Sequence, residues 1–174
     1  MSTQTTTTVL PATRQPMHES FVWTVSGYKV DNRVGCWGQA VVGLYLNGKL
    51  DVTARNDPRG GPAVLEARDQ GGRQRIRILL EDLTASGVKP PVGEKWTEEA
   101  LADAVLIEGD AVKDLNRRQN VVFVKSPSDL EKNVLRLFSK SSHWTPERID
   151  QALVKFPGSL YWSKPRQEWV KANS

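Results

Sequence analysis

GQAVVGLYLNGKLDVTAR, residues 38–55, is the stretch whose reading decides the fold. Two runs of alternating apolar and β-branched residues flank Asn47-Gly48, and that dipeptide between such runs is the strongest short-range signal for a β-hairpin. A two-residue loop would pair Leu44 with Asp51 and Val42 with Thr53, mixing core and solvent sides. A loop of Asn47, Gly48 and Lys49 with a bulge pairs Leu46 with Leu50, Leu44 with Val52 and Val42 with Ala54, which gathers one apolar face. The pattern therefore predicts the second register.

Upstream, residues 20–30 (SFVWTVSGYKV) are rich in aromatic and β-branched types and read as a strand, with Phe21, Trp23 and Val25 on one side. Residues 1–17 are rich in Thr, Pro and Gln, lack apolar periodicity and read as a disordered or loosely attached leader. Downstream, Ala63–Ala67 reads as a short strand and Gly71-Gly72 as a chain break. Ile76, Leu79, Leu80 and Leu83 then fall at helical spacing, with Gly87 as C-cap and Pro90-Pro91 forbidding continuation. Thr97 with Glu98 and Glu99 starts a second helix carrying Leu101, Ala104 and Val105, which Gly109 is expected to weaken or break before Val112 and Leu115. Val121–Val124 is of strand type. Ser126-Pro127 opens a helix with Leu130, Val134, Leu137 and Phe138 as its buried stripe, and Thr145-Pro146 opens a short one with Ile149, Leu153 and Phe156 inward.

The expected fold class is α+β, a small antiparallel β-sheet of N-terminal strands and hairpin packed against several helices. The expected organisation is a leader at 1–17, a single domain over 18–158 with a candidate sub-boundary at 89–95, and a basic aromatic tail at 159–174.

Composition excludes several classes. A single cysteine, Cys36, allows no internal disulfide, and His18 and His143 offer no zinc spacing, so no metal or cofactor is expected. No signal peptide or membrane-spanning run is seen, so a soluble, cytoplasmic protein without a membrane partner is the expectation. Nothing brings either histidine to Cys36, the adjacent acids Glu98-Glu99 and Glu81-Asp82 do not face each other along a helix, and there is no Walker-type or G-x-G-x-x-G loop. The expectation is a protein that is not an enzyme, with a nucleic-acid-processing enzyme of unrecognised motif or a structural subunit of an assembly as alternatives.

Charge is distributed in blocks. Residues 55–77 carry six arginines against three acids, residues 78–116 nine acids against three lysines, and residues 132–174 eight cations against three acids. Arg73, Arg75 and Arg77 open the first helix, the wrong sign for its dipole, which points to an anionic partner near its start. Before them, Arg55, Asn56, Asp57 and Arg59 belong to a loop, Arg55–Pro62, in which Gly60-Gly61 permits close backbone approach. Amides around such a glycine pair form an anion-binding concavity, and arginines add bidentate recognition of phosphate or carboxylate. An ornate turn between strands uses the same residues.

The run Ala54-Arg55-Asn56-Asp57-Pro58-Arg59-Gly60-Gly61 resembles a strand followed by Asn-Asp-Gly-Arg/His-Gly-Gly in small uncharacterised proteins of bacteriophages and other bacterial mobile elements, with Pro58 in place of Gly and Pro62 where Cys is frequent. The resemblance spans about 25 of 174 residues and implies an origin, with no activity attached. It frames the expected role: a binding protein that contacts a host protein or nucleoprotein complex, or nucleic acid, for instance as an anti-defence inhibitor.

The second candidate surface is C-terminal. Trp144, Trp162, Lys164, Arg166 and Trp169, with Lys140, His143, Lys155 and Tyr161, mix cations with planar rings, the composition that stacks bases and neutralises phosphates. Docking of a tail onto a core or a protein interface draws on the same residues.

Overall fold

The computed structural model describes residues 8–10, 12–13, 16–17, 21, 23–36, 38–132, 134–137 and 144–172. The protein is α+β, with two four-stranded antiparallel sheets and four helices among the described residues. It divides into two compact units, residues 1–110 and 111–174, and the boundary falls inside a helix, not at 89–95.

In the first unit, part of the segment expected as a leader is held in place. The two-residue strands β1 (Thr8–Val9) and β2 (Pro16–Met17) pair antiparallel, and Leu10 is 1% exposed in the core. The main sheet has the order β3 (Trp23–Asp31), β4 (Gln39–Leu46), β5 (Lys49–Arg55), β6 (Val64–Ala67). Val42 pairs with Ala54 and Leu44 with Val52, as the pattern predicts, but Leu46 pairs with Lys49 and not with Leu50. The register shift sits after Leu44, so the turn is the two residues Asn47 and Gly48, both at positive φ. Moving the bulge from the loop into β5 leaves Asp51 as the extra residue and turns it inward, 6% exposed.

Trp23, Val25, Val42, Leu44, Val52 and Ala54 form one apolar sheet face, and Ile76, Leu79, Leu83, Leu101 and Val105 join them in one core. Helix α1 (Gln70–Ala85) begins earlier than expected: Gly71-Gly72 does not break the chain but forms its first turn, capped by the Asp69 carboxylate on the Gly72 amide at 2.8 Å. A β-carbon at Gly72 would lie 3.0 Å from the Asp51 carbonyl oxygen, so the absence of a side chain lets the helix start against β5. Helix α2 (Glu98–Arg117) runs through Gly109 without a break. Packing overrides the poor propensity there, because a β-carbon on Gly109 would come within 2.9 Å of Tyr28 and Val42.

The second unit holds a sheet of spatial order β10-β9-β7-β8, formed by β7 (Val122–Val124), β8 (Arg136–Leu137), β9 (Leu160–Ser163) and β10 (Glu168–Lys171). The expected tail is thus a β-hairpin. Helix α3 covers only Pro127–Glu131; Leu130 is buried, whereas Val134 and Leu137 are 40% and 50% exposed, and Phe138 lies outside the described residues. The proposed stripe fails because Arg136 and Leu137 leave helical geometry to pair with Phe123 and Val122, satisfying the edge of β7. Helix α4 (Pro146–Leu153) starts at the Thr145 cap as expected, and Ile149 and Leu153 pack with Phe123, Tyr161 and Ala172.

Candidate functional site

Two amides of the glycine loop are taken by its own Asp57. The Asp57 carboxylate accepts the Arg59 amide at 2.8 Å, the Gly60 amide bonds the Asp57 carbonyl at 3.0 Å, and Asp57 Oδ2 sits where a β-carbon on Gly61 would be. Asn56 is a brace: its side chain accepts the Ala40 amide at 2.6 Å and donates to the Gly38 carbonyl at 3.1 Å. Arg55 pairs with Glu66 on the neighbouring strand, and Arg59 is exposed. Pro58 is used as well, its carbonyl accepting the Cys36 amide at 3.1 Å.

The α1 arginines are divided. Arg75 is hydrogen-bonded to Asp51, and Arg73 pairs with Glu98 at 2.9 Å, so the anions that answer them belong to the same unit. Arg77 is exposed beside a shallow depression bounded by Arg73, Gln74 and Ile78.

At the C-terminal surface the structure does bring candidates together. Trp144, Trp162 and Lys164 line one cavity of about 280 Å³ within the second unit, with Pro146 and Ile149 from the α4 side. Gln119, Asn120 and Val121, on the stretch that enters β7, close another side. Trp162 is fixed before any ligand arrives: its Nε1 donates to Asn116 Oδ1 at 2.9 Å, and Trp169, its cross-strand partner, meets it edge-on at 5.7 Å between centroids. Trp169 is therefore a support and not a lining residue. Lys164 donates to the Arg118 carbonyl, and Arg166, in the same turn, lies 3.8 Å from Glu168 and stays 67% exposed. Lys155 is exposed after α4, and Lys140 and His143 lie outside the described residues.

Burial pushes the Tyr161 hydroxyl above the usual phenol range, Asp150 and Glu147 add to this, and Arg166 opposes it. The phenol therefore stays neutral and keeps both donor and acceptor. Asn116, Gln119 and Asn120 were missed from the sequence. Their signal was the α2 periodicity itself: carried through Gly109, it places Val112, Leu115 and Asn116 on one face and delivers an amide-rich run to the cavity.

Among the described residues no cluster of His, Cys, Asp and Glu could hold a metal ion, and no helix is long and apolar enough to cross a membrane. Comparison with protein-family models, with curated proteins and with solved structures gave no match for the chain.

Proposed function

We propose that the chain is a non-enzymatic binding protein that contacts nucleic acid, free or within a host nucleoprotein complex, through its second unit. The coincidence of charge and cavity carries this reading. Residues 111–174 hold twelve Lys and Arg against six Asp and Glu, whereas residues 1–110 hold twelve against fourteen. The chain's whole positive surplus thus lies in the unit whose cavity is walled by Trp144, Trp162 and Lys164. Cations release counterions from phosphates, and aromatic faces stack bases. A bacteriophage or mobile-element origin, and with it an anti-defence role in the bacterial cytoplasm, is supported by the loop at residues 54–61 alone.

Fluorescence anisotropy with a labelled single-stranded oligonucleotide tests the reading. Affinity should fall steeply between low and physiological salt, with a log–log slope of about −0.7 per phosphate engaged. Lys164→Ala with Arg166→Ala should flatten that slope more than Arg55→Ala with Arg59→Ala. Binding that is absent, or indifferent to salt, overturns the nucleic-acid contact; stable co-purification with a host protein complex free of nucleic acid would then identify an acidic protein surface as the partner.

A further inference from the structure

We infer that the cavity of the second unit receives one unpaired base of a single-stranded nucleic acid, with the sugar-phosphate chain passing over the turn that carries Lys164 and Arg166. This rests on the proposed nucleic-acid contact and narrows it to one occupant and one path.

The walls fit the two faces of a base. Trp144, Pro146 and Ile149 offer apolar and planar surface, while Gln119 at the same cavity carries the donor and acceptor pair that bonds a base edge. Trp144 is half-buried and supplies the stacking face. Trp162 forms a floor already locked by Asn116 and backed by Trp169, so little order has to be imposed on binding.

Charge restricts the path of the backbone. Glu147 and Asp150 act on Tyr161 from the α4 side and repel phosphate there. On the other side, Lys164 keeps its ammonium at the rim through the Arg118 carbonyl with further donors to spare, and Arg166 is exposed in the same turn. The Lys164–Arg166 turn, with no acid paired with Lys164 among the described residues and Arg166 largely exposed, is the favourable route for a polyanion at this rim. A duplex fits poorly, because its bases are stacked away from any cavity. Helix α4, at eight residues the longest helix lying wholly in this unit among the described residues, carries Glu147 and Asp150 against Arg148 alone and so brings a net negative charge to any groove.

The test compares three probes against the full chain by anisotropy at low salt: a short oligothymidine strand, an equally charged strand bearing abasic sites, and the duplex of the first strand. Base insertion predicts that the intact strand binds about tenfold tighter than the abasic one, and that the duplex binds no better than the abasic strand. Trp144→Ala should lower the intact strand to the abasic level and leave abasic binding unchanged, with Trp144→Phe retaining part of the difference. Equal affinity for intact and abasic strands, or a preference for duplex, overturns base insertion while leaving the nucleic-acid contact standing. Failure of all three probes to bind overturns the contact itself.

Discussion

Arg75 on α1 grips Asp51 in the bulge of β5 with two of its nitrogens: Nε donates to Oδ2 at 2.8 Å and Nη2 to Oδ1, while Trp23 Nε1 donates to the same Oδ2 at 2.7 Å. One inward carboxylate thus ties β3, β5 and α1. Arg75, one of three arginines at a helix start whose dipole disfavours them, answers this internal anion.

Removing either partner strands a charge at low exposure, so Arg75→Ala should lower stability by about 3 kcal/mol in urea unfolding. The double variant Asp51→Ala with Arg75→Ala should cost clearly less than the two single losses combined, and strict additivity would show that the pair is uncoupled. The Arg75 hydrogen bonds hold the Asp51 carboxyl below the usual aspartate range, against the opposing effect of burial. The folded state therefore binds that proton more weakly than the unfolded chain. Its contribution is complete above about pH 4 and is lost as pH falls through the lowered value, so the advantage over Asp51→Asn should shrink only in that acid range.

The sheet of the first unit was legible because alternation fixes which residues share a face, and Val42, Leu44, Val52 and Ala54 kept the pairing their pattern demanded. The bulge position was not, since its reason lies in Trp23 and Arg75, residues distant in sequence that need a carboxylate between them. Gly72 and Gly109 misled in one common way: intrinsic propensity argues against helix, while close approach to Asp51 in one case and to Tyr28 and Val42 in the other requires a missing β-carbon. The second sheet was read as one strand, a helix stripe and a tail because its strands are short and find partners far along the chain. At the candidate sites the residue types were visible and their pairing was not. Nothing in the sequence says that Asp57 takes two amides of the glycine loop or that Trp144 meets Trp162 at one cavity.

Glu108 is fully buried on α2 and receives the Ala12 and Thr13 amides at 2.8 and 2.7 Å, fastening the N-terminal segment to the first unit. Burial raises its pKa, and the two amides only partly offset that. A raised carboxyl binds its proton more tightly in the folded state, so stability declines as pH climbs from the ordinary glutamate range through the folded value and is flat above it. Glu108→Gln should remove this decline. It should also speed hydrogen exchange at Ala12 and Thr13, because an amide side chain has one acceptor oxygen in place of two. An unchanged pH profile in the variant would show that Glu108 does not titrate between the two states.

Gly109→Ala pits propensity against space. In an exposed helix interior the change would stabilise by about 1 kcal/mol. Here the new methyl meets Tyr28 Cδ2 and Val42 Cγ2, both at 2.9 Å, and overpacking of this kind costs about 1–3 kcal/mol. The expected outcome is net destabilisation by about 1 kcal/mol, with only the Val42 share of the steric cost relieved when Val42→Ala is added, because the contact with Tyr28 remains. A stabilised single variant would mean that the sheet yields at no cost.

Asn56 separates the two roles that the glycine loop could have. Its side chain satisfies the Ala40 amide and the Gly38 carbonyl, and its own amide bonds the Ala40 carbonyl at 3.2 Å. Asn56→Ala leaves two backbone groups without their partner, one of them on buried Gly38, and should destabilise by about 2 kcal/mol. If the loop serves the fold of the first unit and the second unit binds, oligonucleotide affinity under native conditions should stay within about twofold of the parent, a difference of roughly 0.4 kcal/mol. If the loop is itself the contact surface, stability and affinity should fall together, and Arg59→Ala, which disturbs no hydrogen bond of the brace, should lower affinity alone. Measuring both variants by denaturation and by anisotropy therefore assigns the loop to one role or the other.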